Sequence, residues 1–126
     1  MHYMAKEALL TVNHGFAGIA VADYDSALAW YTRFFGRPPD VVVTENESMW
    51  QEAETGWIYV VDDANRAGKA LLTLLVDHLE DHVAELRQRG LIPSAIDTVH
   101  GLYRKAVITD PDGNMISLGE DLSTAA

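Results

Sequence analysis

The chain has 126 residues, 48% hydrophobic and 22% charged, which is the composition of a globular protein of one domain's size with enough apolar material for a real core. Nineteen acidic against nine basic residues leave a formal net charge of −10, so a phosphate backbone is repelled and nucleic acid is excluded as the expected partner. There is no cysteine, which rules out disulfides and thiolate chemistry and leaves any metal to His, Asp or Glu. No apolar run approaches the roughly 18–20 residues that cross a bilayer. Residues 1–7 lack the basic, apolar and small-residue regions of a signal peptide. The expectation is a cytoplasmic protein of a single domain, 1–126, with no membrane contact.

After a short lead-in over residues 1–10, residues 11–21 read as a strand, with Phe16, Ile19 and Val21 supplying β-prone side chains. Asp23 is placed as an N-cap, and residues 25–35 carry Leu28, Tyr31 and Phe35 at helical spacing, widened by Ala27, Trp30 and Phe34. Gly36 ends that helix and Pro38-Pro39 forbids its continuation. Strands are then expected over 40–45, 49–53 and 57–61, separated by turns at Asn46 and Gly56, with a polar connection over 62–69. A strand over 70–76 follows, then an N-cap at Asp77 and a helix over 78–89 that turns Leu79, Val83 and Leu86 inward and ends at Gly90. Residues 92–98 suggest an irregular strand opened by Pro93, and residues 102–109 a further strand. Asp110-Pro111-Asp112-Gly113-Asn114 forms a tight turn, since proline fixes φ and the Asp, Gly and Asn after it tolerate positive φ, and it leads into the apolar run from Met115 to Leu118. Residues from Leu122 onward look frayed.

One strand, one helix and three strands therefore occur twice. The halves align, with Val21 to Asp25 against Val76 to Glu80, Leu28 against Val83, and Tyr31 against Leu86. The turn Asp110 to Asn114 before an apolar strand resembles the final hairpin of the vicinal oxygen chelate superfamily, which includes glyoxalase I, extradiol dioxygenases and bleomycin-binding proteins. The run from Gly18 to Tyr31, followed by Phe34-Phe35-Gly36, is similar to that family's opening phrase. The resemblance covers nearly the whole chain. It implies an α+β fold of two βαβββ modules, about 11–62 and 70–120, whose mixed sheets form cups with the helices outside.

The same resemblance locates the positions where metal-using relatives hold their cation. They fall on Phe16, Leu71 and Ser117, the last standing where a glutamate usually follows the turn. Phenylalanine and leucine carry no donor lone pair, and a serine hydroxyl is a poor ligand for a divalent ion, so neither a metal nor another cofactor is expected. His14 shares strand parity with Phe16, His78 and His82 lie four apart on a helix flank rich in acids, and His100 stands in a turn. All are read as surface or turn residues, with His100 at the cup rim. Phe16, Trp50, Trp57 and Tyr59 fall on strands, and alternate strand residues face the cup, where rings would suit a flat or cationic organic ligand. The expected ligand-binding set is Phe16, Trp50, Glu52, Trp57, Tyr59, Leu71, His100, Tyr103 and Ser117; Tyr103 or Arg104 is a candidate anchor for an anion or phenol. The favoured function is binding of a small organic molecule without metal, with a homodimer implied by the resemblance. The alternative is a metal-dependent lyase, isomerase or dioxygenase with displaced ligands such as His14 with Glu52 or His100. A weaker third reading is metal-free acid–base catalysis at His100, Tyr103 or a cup carboxylate.

Overall fold

The computed structural model describes residues 10–123; the expected lead-in before residue 10 and the last three residues lie outside that range. The first module runs β1 (Gly15–Val21), α1 (Tyr24–Phe35), β2 (Val41–Thr44), β3 (Glu47–Ala53) and β4 (Gly56–Asp62). The second runs β5 (Leu71–Leu75), α2 (Leu79–Gln88), β6 (Asp97–Val99), β7 (Tyr103–Thr109) and β8 (Met115–Asp121). Each module is βαβββ, with its four strands in one mixed sheet, ordered β1-β4-β3-β2 and β5-β8-β7-β6. In both, the first strand pairs parallel to the last because the helix carries the chain back across the sheet.

The helix ends follow from local chemistry. The Asp23 carboxylate accepts from Ser26 N at 3.2 Å and Ser26 Oγ at 2.9 Å, closing the first turn of α1. Gly36 takes the left-handed conformation at φ 76° and donates its N–H to Thr32. The second helix begins differently from expectation. Asp77 does not cap it: His78 occupies the cap position at φ 57° with no side-chain bond, and Glu80 and Asp81 provide the negative charge that suits a helix N-terminus. The expected strand over 92–98 shrinks to Asp97–Val99. Ser94 explains this, since its N–H donates to Val107 O at 2.8 Å and its Oγ accepts from Val107 N at 2.9 Å, replacing ladder pairing with a side-chain clip. Leu122 is held rather than frayed, donating to Leu102 O at 2.9 Å.

A continuous cluster of buried side chains runs through both modules on the helix side of the sheets. Trp30, Tyr31 and Phe34 of α1 meet Ile19, Val21, Trp50, Ile58 and Val60, while Leu79, Val83 and Leu86 of α2 meet Ala106, Ile108, Ile116 and Leu118. The modules are stitched together by the turn after β7. Buried Asp110 accepts from Asp112 N, Asn114 N, Asn114 Nδ2 and the Tyr31 hydroxyl at 2.7–2.9 Å. Fully buried Asn114 donates to Ala20 O at 3.0 Å and accepts from Ala70 N at 2.9 Å, and Asp112 accepts from Ala22 N at 3.1 Å. Burial beside Asp110 pushes the Tyr31 hydroxyl far above its ordinary range, so it stays a donor. Gly68, at φ 81°, is needed here, because a Cβ would stand 2.4 Å from Asp112 O. At the other end of the interface Arg89 of α2 donates to the terminal carbonyls of Arg33 and Phe34 on α1.

Candidate functional site

Burial parity decides which side chains leave the core. Ile19 and Val21 of β1 and Ile58 and Val60 of β4 point to α1, so Phe16, Gly18, Ala20, Trp57, Tyr59 and Val61 occupy the opposite, open face of the first sheet. Phe16 pairs with Trp57 and Gly18 with Tyr59 in the β1–β4 register. The Phe16 and Trp57 rings lie 6.0 Å apart with 19° between their planes. Tyr59 lies across the β1 backbone, since a Cβ at Gly18 would meet its ring at 2.4–2.7 Å. The absence of a side chain at residue 18 thus lets the third ring lie down beside the stacked pair. These three rings form an aromatic platform.

The second sheet repeats the arrangement. Leu72 and Leu74 of β5, Ile116 and Leu118 of β8, and Ala106 and Ile108 of β7 face the core, leaving Leu71, Thr73, Leu75, Ser117, Tyr103 and Lys105 on the open face. Leu71 pairs with Met115 and Thr73 with Ser117, so Leu71 and Ser117 are diagonal neighbours. Leu71 is 83% exposed, Leu75 72% and Phe16 54%, unusual values for such large apolar side chains on strands. A cavity of about 470 Å³ opens here, walled by Leu75, Leu102 and Tyr103 and edged by Lys105, Ser117 and Asp121.

The structure thus collects Phe16, Trp57 and Tyr59 on one open face and Leu71, Tyr103 and Ser117 on the other. Two residues expected in a cup are elsewhere. Trp50 is fully buried on the helix side, against Tyr31 and Phe35, with Nε1 donating to Arg37 O at 3.0 Å. Glu52 lines a separate crevice of about 380 Å³ on the helix side, near Phe34 and Phe35, bridged to Arg37 at 3.2 Å. Burial holds the Glu52 carboxyl above its ordinary range, against the opposing pull of Arg37. Both misplacements have one cause: a residue's face depends on register, which one position of slip reverses. His100 sits exposed in the turn before β7 at φ 52°. Arg104 points to the helix side, ion-paired to Glu80 and, at 3.4 Å, to Glu120. Lys105 escaped the sequence reading; the alternation that flags Tyr103 also flags Lys105, two positions on.

His14, Glu52 and His100, the donors considered for a displaced metal site, lie on different parts of the fold. Among the described residues no three His, Asp or Glu side chains converge. His14 is exposed ahead of β1, while Glu52 is drawn to Arg37 in the helix-side crevice. No helix among the described residues is long and apolar enough to cross a membrane.

The model of the glyoxalase/bleomycin resistance protein/dioxygenase superfamily matches residues 11–118. This chain belongs to that superfamily. A glyoxalase/bleomycin resistance protein from Catenulispora acidiphila DSM 44928 is 35% identical, covering 87% of this chain and 98% of its own, with a TM-score of 0.81. Two more distant structures share the fold. An antibiotic-binding protein from Streptomyces sp. CB03234 has 22% identity, coverage of 90% and 98%, and a TM-score of 0.70. A bleomycin-binding protein in complex with bleomycin has 16% identity, coverage of 87% and 99%, and a TM-score of 0.71. No curated protein matches the chain. Within the superfamily fold, the turn that carries the resemblance is structural: Asp110 and Asn114 spend their polar atoms on the module junction.

Proposed function

We propose that this superfamily member binds a small, flat organic molecule without a metal, in a cleft that two copies of the chain build from their open faces. The observation that carries the reading is the platform of Phe16, Trp57 and Tyr59, which leaves Phe16 exposed and Trp57 and Tyr59 partly exposed on the open face of the first sheet. Leu71 and Ser117 belong to the second wall of the cleft, with Tyr103 beside them and His100 at its rim; Trp50 and Glu52 take no part. The exposed leucines favour a homodimer, because an apolar face of this kind is ordinarily covered by a partner. Relatives of the same fold are described as binding an antibiotic or bleomycin, which supports a binding role over a catalytic one. A cytoplasmic location completes the proposal.

The test is a tryptophan-fluorescence titration with a panel of planar aromatic compounds. Trp57 faces the cleft, whereas Trp30 and Trp50 are buried in the core. Saturable changes that disappear in Trp57→Phe are expected for at least one compound. Saturable changes of the same size in Trp57→Phe, or none in the parent protein, would refute the platform.

A further inference from the structure

Among the described residues, Lys105 combines partial burial with the lack of a carboxylate partner; Arg33, Lys69 and Arg87 also make no ion pair there, but they are exposed. Arg37, Arg66, Arg89 and Arg104 each pair with at least one carboxylate within 4 Å. Lys105, next in sequence to Arg104, makes no such pair among the described residues, although it is half-buried and borders the cavity on the second module's open face. Two acids stand near it in the sheet. Asp97 is its register partner on β6, yet no ion pair forms between them. Asp121 also borders the cavity; its Oδ1 accepts from Ser123 N at 2.8 Å and Ser123 Oγ at 2.6 Å, which holds the carboxylate in its own turn, and it makes no ion pair with Lys105. Lys105 therefore shares the lining of a cavity with Leu75 and Leu102 and has no carboxylate partner among the described residues, an arrangement in which a ligand oxyanion would find a free cation. The hydroxyls of Thr73 and Ser117, paired across β5 and β8 on the same face, add donors within the same cavity.

We infer that this cavity is an anion-accepting subsite, in which Lys105 binds the carboxylate, sulfonate or similar oxyanion of an otherwise apolar ring compound. The inference rests on the open faces being the ligand site and adds the charge of the ligand. It runs against the net charge of −10, which taken alone favours a cationic ligand. The long-range repulsion acts on approach and is screened by salt within about 10 Å at 0.1 M, whereas direct contact inside a partly enclosed cavity is screened far less. Selectivity for the anion should therefore survive moderate salt.

The experiment compares two fluorescent probes with a common arylamine skeleton: anilinonaphthalene sulfonate, an anion, and N-phenylnaphthylamine, which is neutral. The parent protein is expected to bind the sulfonate more tightly. Lys105→Gln should weaken the sulfonate about tenfold, the scale of one charge-assisted hydrogen bond, and leave the neutral probe and the urea midpoint unchanged. Lys105→Arg should retain the preference. Equal affinities of the two probes in the parent protein, or a preference that persists in Lys105→Gln, would overturn the role of Lys105 while leaving the cleft intact. Failure of both probes to bind the parent protein would overturn the cleft reading, and the subsite with it.

Discussion

Replacing Asn114 with alanine should break the junction between the modules. The side chain is fully buried and uses every polar hydrogen it has: Nδ2 donates to Ala20 O at 3.0 Å and Asp110 Oδ2 at 2.8 Å, and Oδ1 accepts from Ala70 N at 2.9 Å. Truncation removes one bond from each of three partners and leaves a void. Ala20 and Ala70 are half-buried and recover part of their loss from water, while Asp110, 4% exposed, keeps the Tyr31 hydroxyl on the same oxygen but gains no water in exchange. At about 1.5–3 kcal/mol for the lost bond to the carboxylate and about 0.5–1.5 kcal/mol for each of the other two, the expected loss is about 3–5 kcal/mol, a large part of the roughly 5–15 kcal/mol that holds a domain together. In urea unfolding followed by circular dichroism, the midpoint should fall by about 2 M at an unchanged slope. Asn114→Asp keeps the shape but sets a second carboxylate against Asp110. Its pKa should be raised in the folded state, so it should be destabilised near neutral pH and recover as the pH falls and the new acid is protonated. A loss below about 1 kcal/mol for the alanine variant would show that the turn does not carry the junction.

Gly18→Ala should cost little stability, under about 1 kcal/mol, because the ring end of Tyr59 can swing aside; it should nonetheless weaken binding of flat ligands, and unchanged binding would mean the platform does not need Tyr59 lying on β1. Trp50→Ala should lose about 3–5 kcal/mol in denaturant melts, as expected for a fully buried indole, and a near-neutral result would contradict its place in the core. The bond from Gln51 N at 2.7 Å holds the Asp40 carboxyl below the usual range, with help from Arg37. Its stabilisation should be present in full above the unfolded aspartate value of about 4 and be lost as pH falls through the lowered folded value. Melting temperatures of the parent and Asp40→Asn should therefore converge in acid, and a constant gap would contradict the assignment. Leu75→Glu, on the exposed apolar face, should shift a dimer toward monomer in light scattering; a monomeric parent protein would remove the shared cleft.

The repeat and the element types were legible because each rests on local chemistry. Asp23 caps, Gly36 turns left-handed, Leu79, Val83 and Leu86 recur at helical spacing, and Asp110-Pro111 bends the chain. Side-chain direction was harder to read. Trp50 and Trp57 look alike in their strands, yet one is core and the other platform, and only the pairing Trp50 with Ile58 and Gln51 with Trp57 separates them. The turn was readable as a turn, but its role as a buried junction was not, since the partners of Asp110 and Asn114 lie as far away as Tyr31 and Ala20. Asp77 fails as a cap because His78 adopts the left-handed conformation between it and α2, which nothing in the local sequence requires.

Metal-free binding is tested most directly by metal analysis of protein purified without a histidine tag, joined to thermal melts in the presence of Ni²⁺, Zn²⁺, Mn²⁺ or Fe²⁺. A cation that binds the native fold raises its melting temperature by mass action. On the proposal that Phe16, Leu71 and Ser117 stand where metal-using relatives hold their cation, substoichiometric metal and no upward shift with any of the four ions are expected. A stoichiometric metal, with a stabilisation that disappears in His14→Ala or Glu52→Gln, would contradict it and point to lyase, isomerase or dioxygenase chemistry.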